Sequence, residues 1–149
     1  VSAIGPARLW AWSSSGNLAS QVRAGGQTLG GWAATMEPCR GRCIVTYHKS
    51  WSYFAERFHL KVVAQLEPKP GIPPTPGHLA EVIRVAKASG VRAILVEPFY
   101  SRNSAQTVAS RIGAHVVVAP LTVGSDAAAK DYLSLIDTIV SRVSAAVGG

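Results

Sequence analysis

The sequence has little of several features on which whole classes of protein depend. No apolar run approaches the ~20 residues of a membrane-spanning helix, and the first residues lack the basic start and apolar stretch of a signal peptide. Charged residues make up only 15% of the 149 residues whereas hydrophobic residues make up 48%. That balance excludes an intrinsically disordered chain and predicts one folded domain.

Acidic residues are scarce, but the resulting positive charge does not predict a nucleic-acid partner. Eight Asp and Glu stand against 15 Lys and Arg, for a formal net charge of +7. The basic residues form no block of five or six like charges, and they are not interleaved with aromatic residues as in RNA-binding sheets. We therefore expect no nucleic acid among the partners.

The motifs of several enzyme classes are also missing. The sequence has no Gly-x-Ser-x-Gly elbow and no glycine-rich phosphate loop. Its two cysteines, Cys39 and Cys43, are spaced as neither a C-x2-C redox motif nor a zinc knuckle, so we expect two incidental thiols. The flanking Arg40 and Arg42 would lower the pKa values of these thiols.

The character of the sequence changes near Trp32. Residues 1–31 hold six of the fourteen glycines and no acid, and they show no helical or alternating periodicity. We expect this segment to be loop or disorder, and an origin foreign to the domain that follows is kept as an alternative. From residue 32 to 149, short apolar runs alternate with amphipathic stretches, which predicts an α/β domain with a parallel sheet.

Four strands and four helices are predicted in this domain, giving a four-stranded parallel sheet flanked by helices. A proline-rich connector, Glu67 to Pro76, should be extended and stiff because proline restricts its own backbone and that of the preceding residue. The strands are predicted at 43–48, 61–66, 92–97 and 115–119, and the helices at 51–58, 76–89, 103–112 and about 126–147.

Ligands of open parallel sheets bind outside the carboxyl ends of the strands. This rule selects His48, Gln65, Glu67, Glu97 and the loop at 121–126. A neutral imidazole with nearby carboxylates suits Zn²⁺ or a similar ion. The alternative for His48 is a hydrogen-bonded edge residue, and for Glu97 a helix cap or ion pair.

The other histidines are not expected to bind metal. His59 lies in a predicted turn, His78 lies in the first turn of a helix, and His115 begins a strand at the opposite edge of the sheet.

Three motifs in order resemble one known family. They are Val45 to His48 with Trp51 to Ala55, then Glu67 to Ala80, and then Val96 to Ser101. Together they closely resemble the C-terminal lobe of the zinc/manganese solute-binding proteins of ABC transporters. The resemblance covers Trp32 to about Val147.

The resemblance implies a metal held between two lobes. His48 matches the ligand position of the second lobe, and a histidine there favours Zn²⁺ over the alternative, Mn²⁺. For the fourth ligand, Asp126 and Asp131 both match ambiguously, and Glu97 is a third candidate. The implied function is that of a non-enzymatic component, periplasmic or on the cell surface, that captures the ion and delivers it to a membrane permease.

The departure from the family is that no first lobe precedes Trp32. The chain is therefore expected to be truncated and to carry half a metal site. Two alternatives remain open: a small metal-assisted or acid-base α/β enzyme using His48 and Glu97, and an inactive fragment.

Overall fold

A four-stranded parallel sheet lies at the centre of the fold. The computed structural model describes residues 22–24, 27–29, 31–69 and 71–148. The strands are β1 (Val22–Ala24), β2 (Gln27–Leu29), β3 (Cys43–Thr46), β4 (Lys61–Gln65), β5 (Ala93–Val96) and β6 (His115–Val118). The helices are α1 (Gly31–Met36), α2 (Ser52–Arg57), α3 (Pro76–Ala88), α4 (Asn103–Ile112) and α5 (Tyr132–Val147), with 3-10 turns at Glu37–Cys39 and Lys49–Trp51.

The sheet has the strand order β4-β3-β5-β6, and every neighbouring pair is parallel. All four residues of β5 are buried, as expected for an apolar strand that is covered on both faces. The predicted fold class and the four predicted strands are confirmed.

Each face of the sheet packs against a different set of helices. One cluster joins Ile44 and Leu95 with residues of α1, α2 and α5. The other joins Val45 and Ile94 with residues of α3 and α4. Because side chains alternate along a strand, the same strands supply both clusters. None of the helices in the described part of the chain is long and apolar enough to cross a membrane.

The last helix begins later than predicted. The periodicity placed its start near Asp126, but α5 starts at Tyr132. Asp131 is its N-cap and forms a capping box with Ser134, each side chain bonding the other's backbone N–H. The observed bounds of α4 agree with the prediction, and its N-cap, Arg102, makes no side-chain cap bond.

The segment before the domain contains some regular structure. Six of its residues form an antiparallel hairpin of β1 and β2, and Gly31 begins α1. The loop-or-disorder expectation does not hold at these positions, and the other residues of 1–30 lie outside the described part. The sequence between the strands is Gly25-Gly26, a pair typical of two-residue hairpin connections. Strands of three residues are too short to be recognised from the periodicity of the sequence.

Candidate functional site

His48 lies at the carboxyl edge of the sheet, where the strand-end rule places it. The ladder continues past β3, because Tyr47 N donates to Leu95 O at 2.7 Å and Glu67 N donates to Tyr47 O at 2.9 Å. The backbone of His48 is extended and its side chain is half-buried. Its Nδ1 atom is buried and has no hydrogen-bond partner among the described residues. Nε2 is not among the buried polar atoms that lack a partner.

Glu97 follows β5, and His48 follows β3, the neighbouring strand of the sheet. The pairing of the two strands ends with Thr46 opposite Leu95, and His48 and Glu97 each lie two residues beyond it. Glu97 is completely buried, and neither carboxylate oxygen has a partner in the described structure.

Glu67 follows β4, on the other side of β3. Thr46 is opposite Gln65 in β4, and beyond that pair the amides of Leu66 and Glu67 both donate to the segment at the end of β3. Glu67 is 5% exposed, its Oε1 accepts from Gly71 N at 2.9 Å, and its Oε2 is buried without a partner in the described residues. The strand that leads to His48 therefore lies between the two strands that lead to buried glutamates.

Two tyrosines accompany these carboxylates. The rings of Tyr47 and Tyr100 stack at 4.5 Å, and the His48 ring meets Tyr100 edge-on at 6.2 Å. Burial raises the pKa of Tyr47, and the negative charge of Glu67 raises it further, as do Tyr100 and Glu97. The pKa of Tyr100 is also raised, first by desolvation and then by both glutamates. Both carboxylates thus act on one small aromatic group beside His48.

Sequence analysis did not identify the tyrosines as part of the edge. Tyr47 precedes His48 and Tyr100 lies three residues after Glu97, so their positions beside strand ends were the available signal. Their stacking depends on how two loops meet, which periodicity does not report.

Asp126 is engaged in a structural ion pair. Its Oδ2 lies 2.7 Å from Arg142 Nη1, and its Oδ1 accepts from Ala128 N at 2.9 Å. Arg142 Nη1 also donates to Val118 O, which ties the loop to the end of β6. The hydrogen bond from Arg142 is the main reason that the pKa of Asp126 lies below its usual value.

Asp131 is occupied as a helix cap. Its Oδ1 accepts from Ser134 N at 2.8 Å and from Ser134 Oγ at 2.9 Å, and these bonds lower its pKa. The residues directly after β6 are Ala119 and Pro120, neither of which offers a ligand atom in its side chain. The structure therefore gives Asp126 and Asp131 other partners, and it leaves Glu97 at the end of the strand next to that of His48.

The remaining metal-binding residue types lie in other arrangements. His78 Nε2 is 2.9 Å from Gln65 O, and since a carbonyl only accepts, this nitrogen carries the proton. Cys39 and Cys43 are free thiols. Burial raises the pKa of Cys39, and the charge of Arg42 offsets only part of that effect, so the expected lowering does not occur there.

Taken together, these side chains form no complete metal site in the described part of the chain. The described residues contain no group of three or more His, Cys, Asp or Glu side chains that could hold a metal ion. Of the donor types that suit zinc, this edge holds the partly buried imidazole of His48, and buried carboxylates follow the two neighbouring strands.

Comparison with known proteins identifies relatives of one type. The sequence model of the family described as ZnuA, zinc-uptake complex component A, periplasmic, matches residues 20–146, and so begins upstream of Trp32. No curated protein matches the chain.

Several solved structures of longer proteins share the fold of this chain. A crystal structure of ZnuA is 25% identical with a TM-score of 0.62, covering 77% of this chain and 42% of its own. The laminin-binding protein Lmb of Streptococcus agalactiae, described as having adhesin and metal transporting activity, is 24% identical with a TM-score of 0.66, covering 78% and 45%. The Mn²⁺ complex of FpvC from Pseudomonas aeruginosa is 23% identical with a TM-score of 0.61, covering 78% and 46%. The chain thus spans less than half the length of each.

Proposed function

Since the chain belongs to the ZnuA family of periplasmic zinc-uptake components, which its residues 20–146 match, we propose that it binds a divalent metal ion for an ABC transporter. In this proposal the chain is one lobe of a solute-binding protein. The whole protein captures the ion in the periplasm or at the cell surface and delivers it to a membrane permease. The metal is its cargo, and the chain performs no chemistry on it.

The proposed ligand is Nε2 of His48. The observation that supports this assignment is the position of the partly buried His48 at the strand end, where Nδ1 is buried and Nε2 is not among the buried atoms without a partner. An imidazole nitrogen at the open edge of a parallel sheet is available to an ion that approaches from that edge.

Zn²⁺ is the proposed cargo and Mn²⁺ the alternative. Imidazole nitrogen suits zinc, whereas manganese prefers carboxylate and carbonyl oxygen. The neighbouring acids do not change this preference as they stand, because Asp126 is bonded to Arg142 and Asp131 to Ser134. Either acid becomes a ligand only by releasing its partner, and Glu97 only by leaving its buried position.

The other ligands are proposed to come from a second lobe. A zinc site takes four ligands in tetrahedral geometry, and the edge offers one imidazole. The chain covers 42% to 46% of the bilobed structures it matches, which supports the proposal of half a site. The isolated chain should then bind zinc orders of magnitude more weakly than a two-lobed relative, because water must replace each missing ligand.

Titration calorimetry with Zn²⁺ tests the proposal. We expect weak binding by the chain, loss of that binding in His48→Ala, and no change in the matched control His115→Ala, whose exposed ring lies at the start of β6. Parallel titration with Mn²⁺ should give less heat. Tight zinc binding that survives His48→Ala would contradict the proposal and direct attention to Cys39 and Cys43.

A further inference from the structure

The parallel sheet has two outer edges. Its strand order, β4-β3-β5-β6, leaves β4 and β6 each with one neighbouring strand in the described part of the chain. The outer side of an edge strand presents backbone N–H and C=O groups with which a further strand can pair, and natural proteins prevent this by covering the edge or by placing charged side chains along it. How each edge of this sheet is covered can be read from the hydrogen bonds.

At the edge formed by β6, a side chain of α5 covers the backbone. Ala119 N donates to Val96 O at 3.0 Å, so the backbone of Ala119 is turned toward β5. Successive residues of a strand turn their backbone groups to opposite sides, and Val118 therefore directs its N–H and C=O outward. Arg142 Nη1 donates to this outward carbonyl at 2.9 Å and lies 2.7 Å from Asp126 Oδ2, which holds the guanidinium in place.

The edge formed by β4 is covered in the same way. Leu66 N donates to Thr46 O at 3.0 Å, so the backbone of the preceding Gln65 is turned away from β3. His78 Nε2 lies 2.9 Å from Gln65 O and donates to it, since a carbonyl only accepts. His78 belongs to the first turn of α3, the helix that follows β4. At both edges, then, the outward carbonyl of the strand's last residue is bonded by a side chain of the next helix.

We propose that Arg142 and His78 are edge guards: each occupies the last outward carbonyl of an edge strand, and together they keep a second copy of the chain from adding a strand to the sheet. A strand that covered Arg142 would also have to remove its charge from water, which is costly. Neither residue belongs to the proposed metal site, so this inference goes beyond the proposed function and does not depend on it.

The chemistry of β6 identifies a second copy of the same strand as the partner that is excluded. Residues His115–Val118 include three consecutive valines and no acid, lysine, arginine or proline. Segments of this kind, rich in β-branched residues and poor in charge, pair readily with copies of themselves. A groove of about 360 Å³ lies beside β6 and is lined on the other side by residues of α5 that include Ala145 and Ala146. Their small side chains leave room for an approaching backbone.

The two edges should differ in how readily they pair once unguarded. β5 and β6 pair in one continuous register, whereas the register of β3 and β4 shifts between Ile44 and Val45. Such an irregularity increases the local twist and makes an edge a poorer template for a further strand. We therefore expect the guard at β6 to matter more than the guard at β4.

Removing the guard at β6 is the primary test. Arg142→Met keeps the length of the side chain but removes the charge and the donor, and Arg111→Met removes the same charge from an exposed residue of α4 as the matched control. Sedimentation velocity over a range of protein concentrations, in buffer with a chelator so that zinc cannot bridge two chains, measures association. We expect Arg142→Met to shift from monomer to dimer or larger species as concentration rises, while the parent chain and Arg111→Met stay monomeric.

Amide hydrogen exchange then locates the contact. In associated Arg142→Met, the outward amides of Val116 and Val118 should exchange more slowly than in the parent chain. The amide of Val117, which is turned toward β5, is the internal control and should not change. A folded Arg142→Met that stays monomeric, or one that associates without slower exchange at Val116 and Val118, would overturn the guard at β6.

His78→Leu is the second variant, and it removes the donor at β4. We expect weaker association than in Arg142→Met, with slower exchange of the outward amide of Gln65 and no change at Leu66. A folded His78→Leu chain that stays monomeric would overturn the guard at β4. If Arg142→Met does not fold, that same result would overturn the inference as a whole.

Discussion

The acids after β6 and the acids after β4 and β5 have opposite surroundings. Asp126 and Asp131 are partly or largely exposed, and each is bonded to a partner that holds a loop or begins a helix. Glu67 and Glu97 are buried, yet three of their four carboxylate oxygens have no partner among the described residues.

This difference separates structural acids from acids retained for another purpose. An exposed carboxylate with a partner stabilises the fold modestly, whereas a buried carboxylate without one destabilises it. Glu67 and Glu97 follow the strands on either side of the strand that leads to His48. We place the metal at this edge of the sheet. The strained arrangement is thus evidence for function at this edge, as stability is often given up at sites.

The largest effect should come from removing the buried charge. We expect Glu97→Met to increase the free energy of unfolding by about 1 to 3 kcal/mol, because an apolar side chain of similar size replaces a poorly solvated carboxylate. Denaturant unfolding followed by circular dichroism measures the change. A decrease in stability would mean that Glu97 is fully satisfied in the native state, and that the contrast between the two acid groups is false.

Asp131→Ala should have the opposite sign and a smaller effect. It removes the capping bonds to Ser134, so the first turn of α5 loses its partner. The same denaturation experiment should show a lower midpoint, with Asp131→Asn as the control that keeps an acceptor. If Asp131→Ala leaves stability unchanged, the helix does not need Asp131 as its cap, and this residue is again a candidate metal ligand.

The ion pair of Asp126 should appear in the pH dependence of stability. Its pKa is lowered in the folded state, so the carboxylate stabilises the fold above its unfolded pKa, and this contribution is lost as pH falls through the folded value. The loss should therefore occur below about pH 4, and it should be smaller at high salt because the pair is partly exposed. Asp126→Asn should flatten the acid limb of a thermal-unfolding series. If the variant loses stability at acidic pH to the same extent as the parent chain, the ion pair with Arg142 does not stabilise the fold.

The smallest predicted effect concerns the connector after β4. Gly71 N is bonded to Glu67, so its amide should exchange slowly with solvent, and Glu67→Met should speed exchange about 5- to 10-fold, the equivalent of one hydrogen bond. The amide of Ile72, which donates to Lys69 O, is the internal control in the same spectrum. If the Gly71 amide exchanges equally fast before and after the substitution, Glu67 does not anchor the connector.

Sequence patterns predicted the elements well where local chemistry decides them. Thr75 caps α3 and Pro76 begins it, at the start predicted from the sequence, and Gly113 ends α4 in the left-handed region. The predicted start of α5 was wrong because Asp126 and Asp131 are both residues that suit a helix N-terminus. Only the reciprocal bond of Ser134 distinguishes them.

The site was predictable in part for the same reason. The strand-end rule selected His48, Glu67 and Glu97 from the sequence. Which of the acids would be buried without partners depends on strand order and register, and these are tertiary properties. The order β4-β3-β5, which places the strand leading to His48 between the strands leading to the two glutamates, could not be read from the apolar runs alone.

Zinc titration of the chain labelled with ¹⁵N-histidine tests the central claim most directly, because it observes all four imidazoles at once. The account predicts that added Zn²⁺ moves the Nε2 resonance of His48 and leaves His59, His78 and His115 in place. A zinc-dependent shift at another histidine, or at none while zinc binds, would contradict it.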